Sequence, residues 1–187
     1  MNRYLHQLPN CLTGLRLAAA PLLAFLVGEG RFGEAFAVFA FAGASDAADG
    51  FLAKRFDLKT KFGRFLDPAA DKVLMLASFV ALTAVGIVPL WLTALVVARD
   101  LGIVFGAFLA WAFDLPLRLA PSPLGKISTA FQIGYIALML LFLLLALDVP
   151  QLATAAAVSV GAVTIASGLS YAALWLRAAF RTPGRTA

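Results

Sequence analysis

Three stretches of this chain carry no charged residue at all: Val73 to Ala98, Ile127 to Leu147 and Val149 to Leu176. About 20 mostly apolar residues in a helix cross the hydrocarbon core of a bilayer, where only helices and closed barrels satisfy their own backbone polar groups. These runs read as membrane-spanning helices. Hydrophobic residues make up 62% of the 187-residue chain and charged residues 13%, against about half and about a quarter in soluble domains, so the reading extends beyond the three runs. Breaks at Gly28 to Arg31, Arg55 to Lys61, Gly86 to Pro89, Asp114 to Pro123 and Asp148 to Pro150 divide the chain into about six helices, at 11–28, 32–54, 63–86, 89–112, 125–147 and 150–177. The expected fold class is all-α, a polytopic membrane protein forming one membrane-embedded domain over 1–187, with an interfacial segment at 1–10 and a basic tail at 181–187.

The basic residues orient this bundle. With the N-terminus in the cytoplasm, Arg3, Arg16, Lys54, Arg55, Lys59, Lys61, Arg64, Arg118, Lys126, Arg177, Arg181 and Arg185 collect on that side, while the opposite loops carry only Arg31. The positive-inside rule then predicts both termini in the cytoplasm. The net charge of +5 forms no surface-sized basic cluster with interleaved aromatics, which argues against nucleic acid. No A-x-A cleavage site and no Arg- and Ser-rich leader precede the first apolar run, so Met1 reads as close to the mature start. One cysteine, Cys11, and one histidine, His6, allow neither a disulfide framework nor a Cys/His metal site. Any metal would be held by oxygen.

Against that apolar background stand four aspartates in the second and third expected helices, Asp46, Asp49, Asp67 and Asp71, within a span of 26 residues. A carboxylate in a spanning helix costs a few kcal/mol and usually faces the bundle interior or water in a functional role. Asp46, Asp49, Gly50 and Ala53 lie at offsets of 0, 3, 4 and 7, one helical stripe; Gly63, Asp67 and Asp71 follow at intervals of four and form a second. The topology brings the end of the second helix and the start of the third to the cytoplasmic face, so the four are expected at one depth. Such anions repel unless protonated or bridged by cations. Shared Mg²⁺, Mn²⁺ or Ca²⁺ suits all-oxygen ligation, and two such ions clamp a diphosphate. Gly50 and Gly63 leave room for a nucleotide or a neighbouring helix, and Lys54, Arg55, Lys59, Lys61 and Arg64 add positive charge beside the same site.

The pattern Asp46-x2-Asp49-Gly50-x2-Ala53-Lys54-x8-Gly63-x3-Asp67-x3-Asp71 resembles the signature of the CDP-alcohol phosphatidyltransferases at every spacing. One position departs: Lys54 stands where the family usually has Arg, and Arg55 follows it. Lys keeps the charge without the bidentate geometry. Pro9-Asn10-x-Leu12-Thr13-x2-Arg16 is similar to the family's N-terminal element, Ala98-Arg99-Asp100 to its fourth-helix motif, and Gly125-Lys126-x2-Thr129-x2-Gln132 to its fifth-helix entry. The resemblance implies six membrane helices, a homodimer and a site holding two Mg²⁺ or Mn²⁺ ions on Asp46, Asp49, Asp67 and Asp71. It makes Asp71 the general base. CDP-diacylglycerol would meet Asn10, Thr13, Arg16, Gly50, Ala53, Lys54, Arg55, Gly63 and Arg64. The implied reaction transfers a phosphatidyl group to an alcohol and releases CMP.

For the acceptor side the candidates are Lys72, Arg99, Asp100, Arg118 and Lys126. Family members that take glycerol 3-phosphate usually follow the fourth-helix Ala-Arg with Glu and then a further Arg. Here Asp100 follows, and Leu101 to Phe113 contains no basic residue. Within the branch of cardiolipin synthases and phosphatidylglycerophosphate synthases, the chain is more similar to the former, which implies phosphatidylglycerol as acceptor and cardiolipin as product. Glycerol 3-phosphate is the alternative. The expected location is the bacterial cytoplasmic membrane. An ion transporter would also carry acidic helices, but with broken helices or inverted repeats at the bilayer midplane. Arg99, Gly102 and Gly106 share a stripe expected to admit a closely packed helix, while Gly161, Ser167, Gly168 and Ser170 on the last helix read as packing residues.

Overall fold

The computed structural model describes the chain path over residues 8–56, 63–112 and 122–180, and side chains at 14–45, 70–109, 112 and 122–176. Residues 1–7 of the expected interfacial segment, the Lys59 and Lys61 loop, Arg118 and the basic tail lie outside the described residues, while residues 8–10 of that segment already belong to the first helix. Six helices make up the described elements: α1 (Leu8–Gly28), α2 (Phe32–Phe56), α3 (Gly63–Ala84), α4 (Leu90–Ala112), α5 (Pro123–Leu144) and α6 (Pro150–Phe180). By length and composition Leu90–Leu109, Pro123–Leu144 and Pro150–Leu176 suffice to cross a membrane, and Gly14–Gly28 and Phe32–Ser45 are shorter apolar helices.

The chain breaks have local causes. At the end of α1, the Arg31 N–H reaches the Leu26 carbonyl at 2.9 Å, and Gly30 turns left-handed with φ of 72°. The same closure ends α3, where the Ile87 N–H meets the Leu82 carbonyl at 2.9 Å and Gly86 has φ of 78°. α5 was expected to run to residue 147 but stops at Leu144. There the Leu147 N–H bonds the Phe142 carbonyl at 2.9 Å, and Ala146, at φ of 50°, takes the position that glycine fills in the other two turns. A left-handed alanine costs roughly 1–2 kcal/mol. At the other end of α5, the Ser122 hydroxyl accepts the Gly125 N–H at 3.0 Å, and Pro123 occupies the first helical position, where no N–H is needed.

Two compact units divide the chain: Met1–Val88 with Ile136–Val149, and Pro89–Tyr135 with Pro150–Ala187. In the first, α1 packs along both α3 and α2. Its core takes Ala19, Ala20, Leu23, Leu26 and Val27 from α1, Ala35, Phe39 and Ala42 from α2, and Ala70, Leu74, Met75, Phe79 and Leu82 from α3. These recur at helical spacing, one inward face per helix. Many are alanines, which let helix backbones approach closely.

In the second unit α4 packs against α6. The Trp91 ring of α4 rests on Gly161 of α6, so a Cβ there would meet it at 2.8 Å, while the Trp175 ring of α6 fills the space a Cβ on Gly106 of α4 would need. Between these notches Arg99 meets Ser167. The pairs 91/161, 99/167 and 106/175 ascend together, so the two helices run parallel. Gly106 thus admits a close neighbour as expected. Gly102 does not, since a Cβ there would meet nothing within 4 Å among the described residues.

Gly106→Val is therefore expected to lower stability by about 1–3 kcal/mol, because the indole has to leave its notch. Gly102→Ala is expected to be neutral or slightly stabilising. Thermal unfolding of both variants in detergent checks this; a Gly106→Val protein melting with the parent would show that the notch is not needed.

Candidate active site

The carboxylate pattern falls on two continuous helices. Asp46, Asp49, Gly50, Ala53, Lys54 and Arg55 occupy the C-terminal half of α2, and Gly63, Arg64, Asp67, Asp71 and Lys72 the N-terminal half of α3. At about 100° per residue, the aspartates of each helix keep the common face read from their spacing. Asn10 and Thr13 lie in the first turns of α1. The side chains of Asn10, Thr13, Asp46, Asp49, Gly50, Ala53, Lys54, Arg55, Gly63, Arg64 and Asp67 lie outside the described residues. Among the described residues no three His, Cys, Asp or Glu side chains come together.

Asp71 is described, and it is held. Arg16, on α1, donates from Nη1 to Asp71 Oδ1 across the α1–α3 packing. The Arg16 side chain is 2% exposed, whereas that of Asp71 is 44% exposed. The guanidinium is thus the buried anchor, and the carboxylate stands at the boundary. Sequence similarity had grouped Arg16 with the CDP-lipid residues; the structure gives it Asp71 as a partner. A carboxylate offers about four acceptor sites, so one arginine does not exhaust it for a metal or a proton. The pair also gives the Asp71 carboxylate a protein cation. Lys72 lies beside Asp71, half-buried.

The second unit carries a separate polar group. Arg99, ten residues into α4, has a side chain 6% exposed and donates from Nη1 to the Asp100 carboxylate at 2.7 Å. Ser167 Oγ accepts from Arg99 Nη2 at 2.8 Å and from Nε at 3.3 Å. The guanidinium also sits 5.9 Å from the centre of the Tyr171 ring. Tyr171 Oη in turn accepts the Ser122 backbone N–H at 3.1 Å, at the cap of α5. Lys126, in the first turn of α5, is exposed. Further along, fully buried Gln132 donates to Ser128 at 3.3 Å and to Thr164 at 3.2 Å. The structure therefore joins Arg99, paired with Asp100, to α6 residues that the sequence pattern marks as packing or leaves unremarked. Ser167 is a polar partner rather than a spacer. The available signal was Thr164, Ser167 and Tyr171, three polar groups at offsets of 0, 3 and 7, on one face of the helix.

The family model for CDP-alcohol phosphatidyltransferase matches residues 6–179. The chain belongs to the CDP-alcohol phosphatidyltransferase family. This is a family of metal-dependent membrane phosphotransferases, and with three helices long and apolar enough to span, the chain is an integral membrane protein. It is 34% identical over 146 residues to a cardiolipin synthase (CMP-forming) of Rattus norvegicus, covering 70% of this chain and 48% of that protein. It is 36% identical over 176 residues to a probable phosphatidylglycerophosphate synthase of Mycobacterium tuberculosis, covering 91% of this chain and 82% of that one. A cardiolipin synthase (CMP-forming) of Streptomyces coelicolor is 42% identical over 99 residues, half of this chain and 46% of its own length. The chain spans about half the length of these cardiolipin synthases.

Arg16 and Asp71 should prove energetically coupled. A double-mutant cycle with Arg16→Met and Asp71→Asn, read as unfolding free energy in detergent, is expected to give about 1–2 kcal/mol, since each single change leaves the other group poorly compensated. Additive effects would mean the ion pair contributes nothing to the fold.

Proposed function

We propose that this chain transfers the phosphatidyl group of CDP-diacylglycerol to an alcohol and releases CMP, with phosphatidylglycerol as acceptor and cardiolipin as product. The observation that carries the reading is the family's carboxylate spacing, borne on two unbroken helices, α2 and α3, in a chain the family model matches from residue 6 to 179. Asp46, Asp49, Asp67 and Asp71 are the residues that would hold divalent metal, and the fit rests on a donor set composed only of carboxylate oxygens. That set suits Mg²⁺ or Mn²⁺, two ions per site in this reading. Bound metal would neutralise the diphosphate and stabilise the leaving CMP.

The protein's own residues supply the remainder. Asn10, Thr13, Gly50, Ala53, Lys54, Arg55, Gly63 and Arg64 bind the cytidine diphosphate portion, with glycine where the ligand comes close and cations beside the phosphates. Asp71 accepts the proton of the acceptor hydroxyl as its oxygen attacks the phosphorus bearing the diacylglycerol and the bond from that phosphorus to the CMP oxygen breaks. Arg16 orients the Asp71 carboxylate. Lys72, Arg99, Asp100, Arg118 and Lys126 serve the acceptor side. The Asp100 carboxylate balances Arg99, and no other base stands between Leu101 and Phe113. A dianionic glycerol phosphate would therefore find little net positive charge there, whereas a lipid acceptor is held partly by its acyl chains in the bilayer. The chain works as a single domain and a homodimer in the bacterial cytoplasmic membrane, its termini and active site cytoplasmic, as the distribution of basic residues supports.

Glycerol 3-phosphate is the second reading. What favours it is the mycobacterial relative named a probable phosphatidylglycerophosphate synthase, which the chain covers over 82% of its length.

Two measurements test the proposal. CMP release from radiolabelled CDP-diacylglycerol is expected to stop in excess EDTA and return with Mg²⁺ or Mn²⁺; undiminished turnover in chelator would reject the metal site. With phosphatidylglycerol and glycerol 3-phosphate in one reaction, mass spectrometry is expected to find mainly cardiolipin. Predominant phosphatidylglycerophosphate would promote the second reading and leave the transfer chemistry standing.

A further inference from the structure

The guanidinium of Arg99 is restrained from several directions, by Ser167 and Tyr171 of α6 and by Asp100 of its own helix. Ser167 Oγ takes both Nε and Nη2, Asp100 takes Nη1, and the Tyr171 ring lies 5.9 Å from Cζ. These contacts use three of the five N–H donors that a guanidinium has. Its Nη2 end points to the start of α5: a Cβ on Gly125 would lie 3.2 Å from Arg99 Nη2, 3.1 Å from Tyr171 Oη and 3.1 Å from Ser122 Oγ. A Cβ there would oblige all three groups to give way by a few tenths of an ångström. Tyr171 does two things there, since its ring lies beside the guanidinium while its hydroxyl accepts the Ser122 N–H and so ties the α5 cap to α6.

A buried Arg–Asp pair meant only to be neutral would need none of this. Its charge is already balanced by Asp100, its neighbour in sequence. Ser167, Tyr171 and Gly125 add direction: they fix which way the fork points and where the first turn of α5, which bears Lys126, stands relative to it. We propose that Ser167 and Tyr171 of α6, with Gly125 of α5, are positioning residues that hold Arg99 in the pose used for the acceptor alcohol. The proposal rests on the acceptor-side reading of Arg99 and names α6 as the element that tunes acceptor recognition. The three residues act through Arg99 and touch no reacting atom.

The test separates the two substrates. Ser167→Ala removes the oxygen that receives two guanidinium donors. Tyr171→Phe keeps the ring and removes the cap tether, and Gly125→Ala fills the space where the three groups converge. Each variant is purified in detergent, its melting temperature is recorded, and KM is measured separately for CDP-diacylglycerol and for whichever acceptor the parent protein uses. The expected result is a KM for the acceptor raised about 5–10-fold, as for weakening one charge-assisted hydrogen bond, with KM for CDP-diacylglycerol within about twofold. Ser170→Ala, whose hydroxyl only donates back to the Ser167 carbonyl, should match the parent in both. An unchanged acceptor KM in Ser167→Ala and Tyr171→Phe overturns the proposal, as does an equal rise in both KM values or a loss confined to kcat. If Gly125→Ala does not fold, the nearly isosteric Tyr171→Phe decides. A parent protein that transfers to no acceptor overturns the proposed function and this inference together. A parent active on glycerol 3-phosphate alone overturns only the choice of acceptor, and the KM comparison stands with that substrate.

Discussion

A charge in hydrocarbon is expensive, and most of what is specific in this molecule follows from that cost. An unpaired ion at the centre of a bilayer costs at least a few kcal/mol even by the mildest scales. Arg16 is 2% exposed and meets Asp71; Arg99 is 6% exposed and meets Asp100. Each arginine is deeper than its carboxylate, so in both pairs the guanidinium is fixed by the protein and the acid lies nearer the boundary. Such pairs are poor sources of net stability, since desolvation offsets most of their attraction. Their value is geometric: helices that must bring these groups together have little freedom in register.

Packing supplies the other half of that constraint. Among helices in lipid there is little hydrophobic gain from association, so close fit matters more. α4 and α6 meet through two tryptophans set into glycine notches at opposite ends of their contact, Trp91 on Gly161 and Trp175 on Gly106. The Arg99 and Ser167 hydrogen bonds lie between them. A bulky ring in a notch fixes both the distance and the axial position of a helix pair. That registration decides which α6 residue stands opposite Arg99. In the other unit, α1 performs the same service with small side chains, and so brings Arg16 to α3.

Membership in the CDP-alcohol phosphatidyltransferase family fixes a class of chemistry but not an acceptor, because the relatives include proteins named for cardiolipin and for phosphatidylglycerophosphate synthesis. In the proposed reading the carboxylate signature serves the nucleotide and metal end of that chemistry. In that reading discrimination among alcohols comes from elsewhere in the chain; the polar group around Arg99 is built from α4, the cap of α5 and α6, none of which carries the signature. A substrate preference set on different helices from the reaction can vary while the reaction stays the same.

The sequence by itself determined the helices and the spacing of the acids. Uncharged runs, glycine and proline breaks and offsets of three and four are local properties, and hydrogen bonding within a helix obliges the backbone to follow them, so six expected helices match the observed ones to within three residues at each end. Even the local reading failed where a general rule had an exception: α5 ends early because Ala146 accepts a left-handed turn with no glycine there to announce it. The partnerships were decided by tertiary structure. Arg16 and Asp71 are 55 residues apart, and Arg99 and Ser167 are 68 apart. Nothing in the periodicity of one helix states which residue of another will stand opposite it. That depends on helix separation and axial register, which small residues and tryptophan notches set only once the helices are packed.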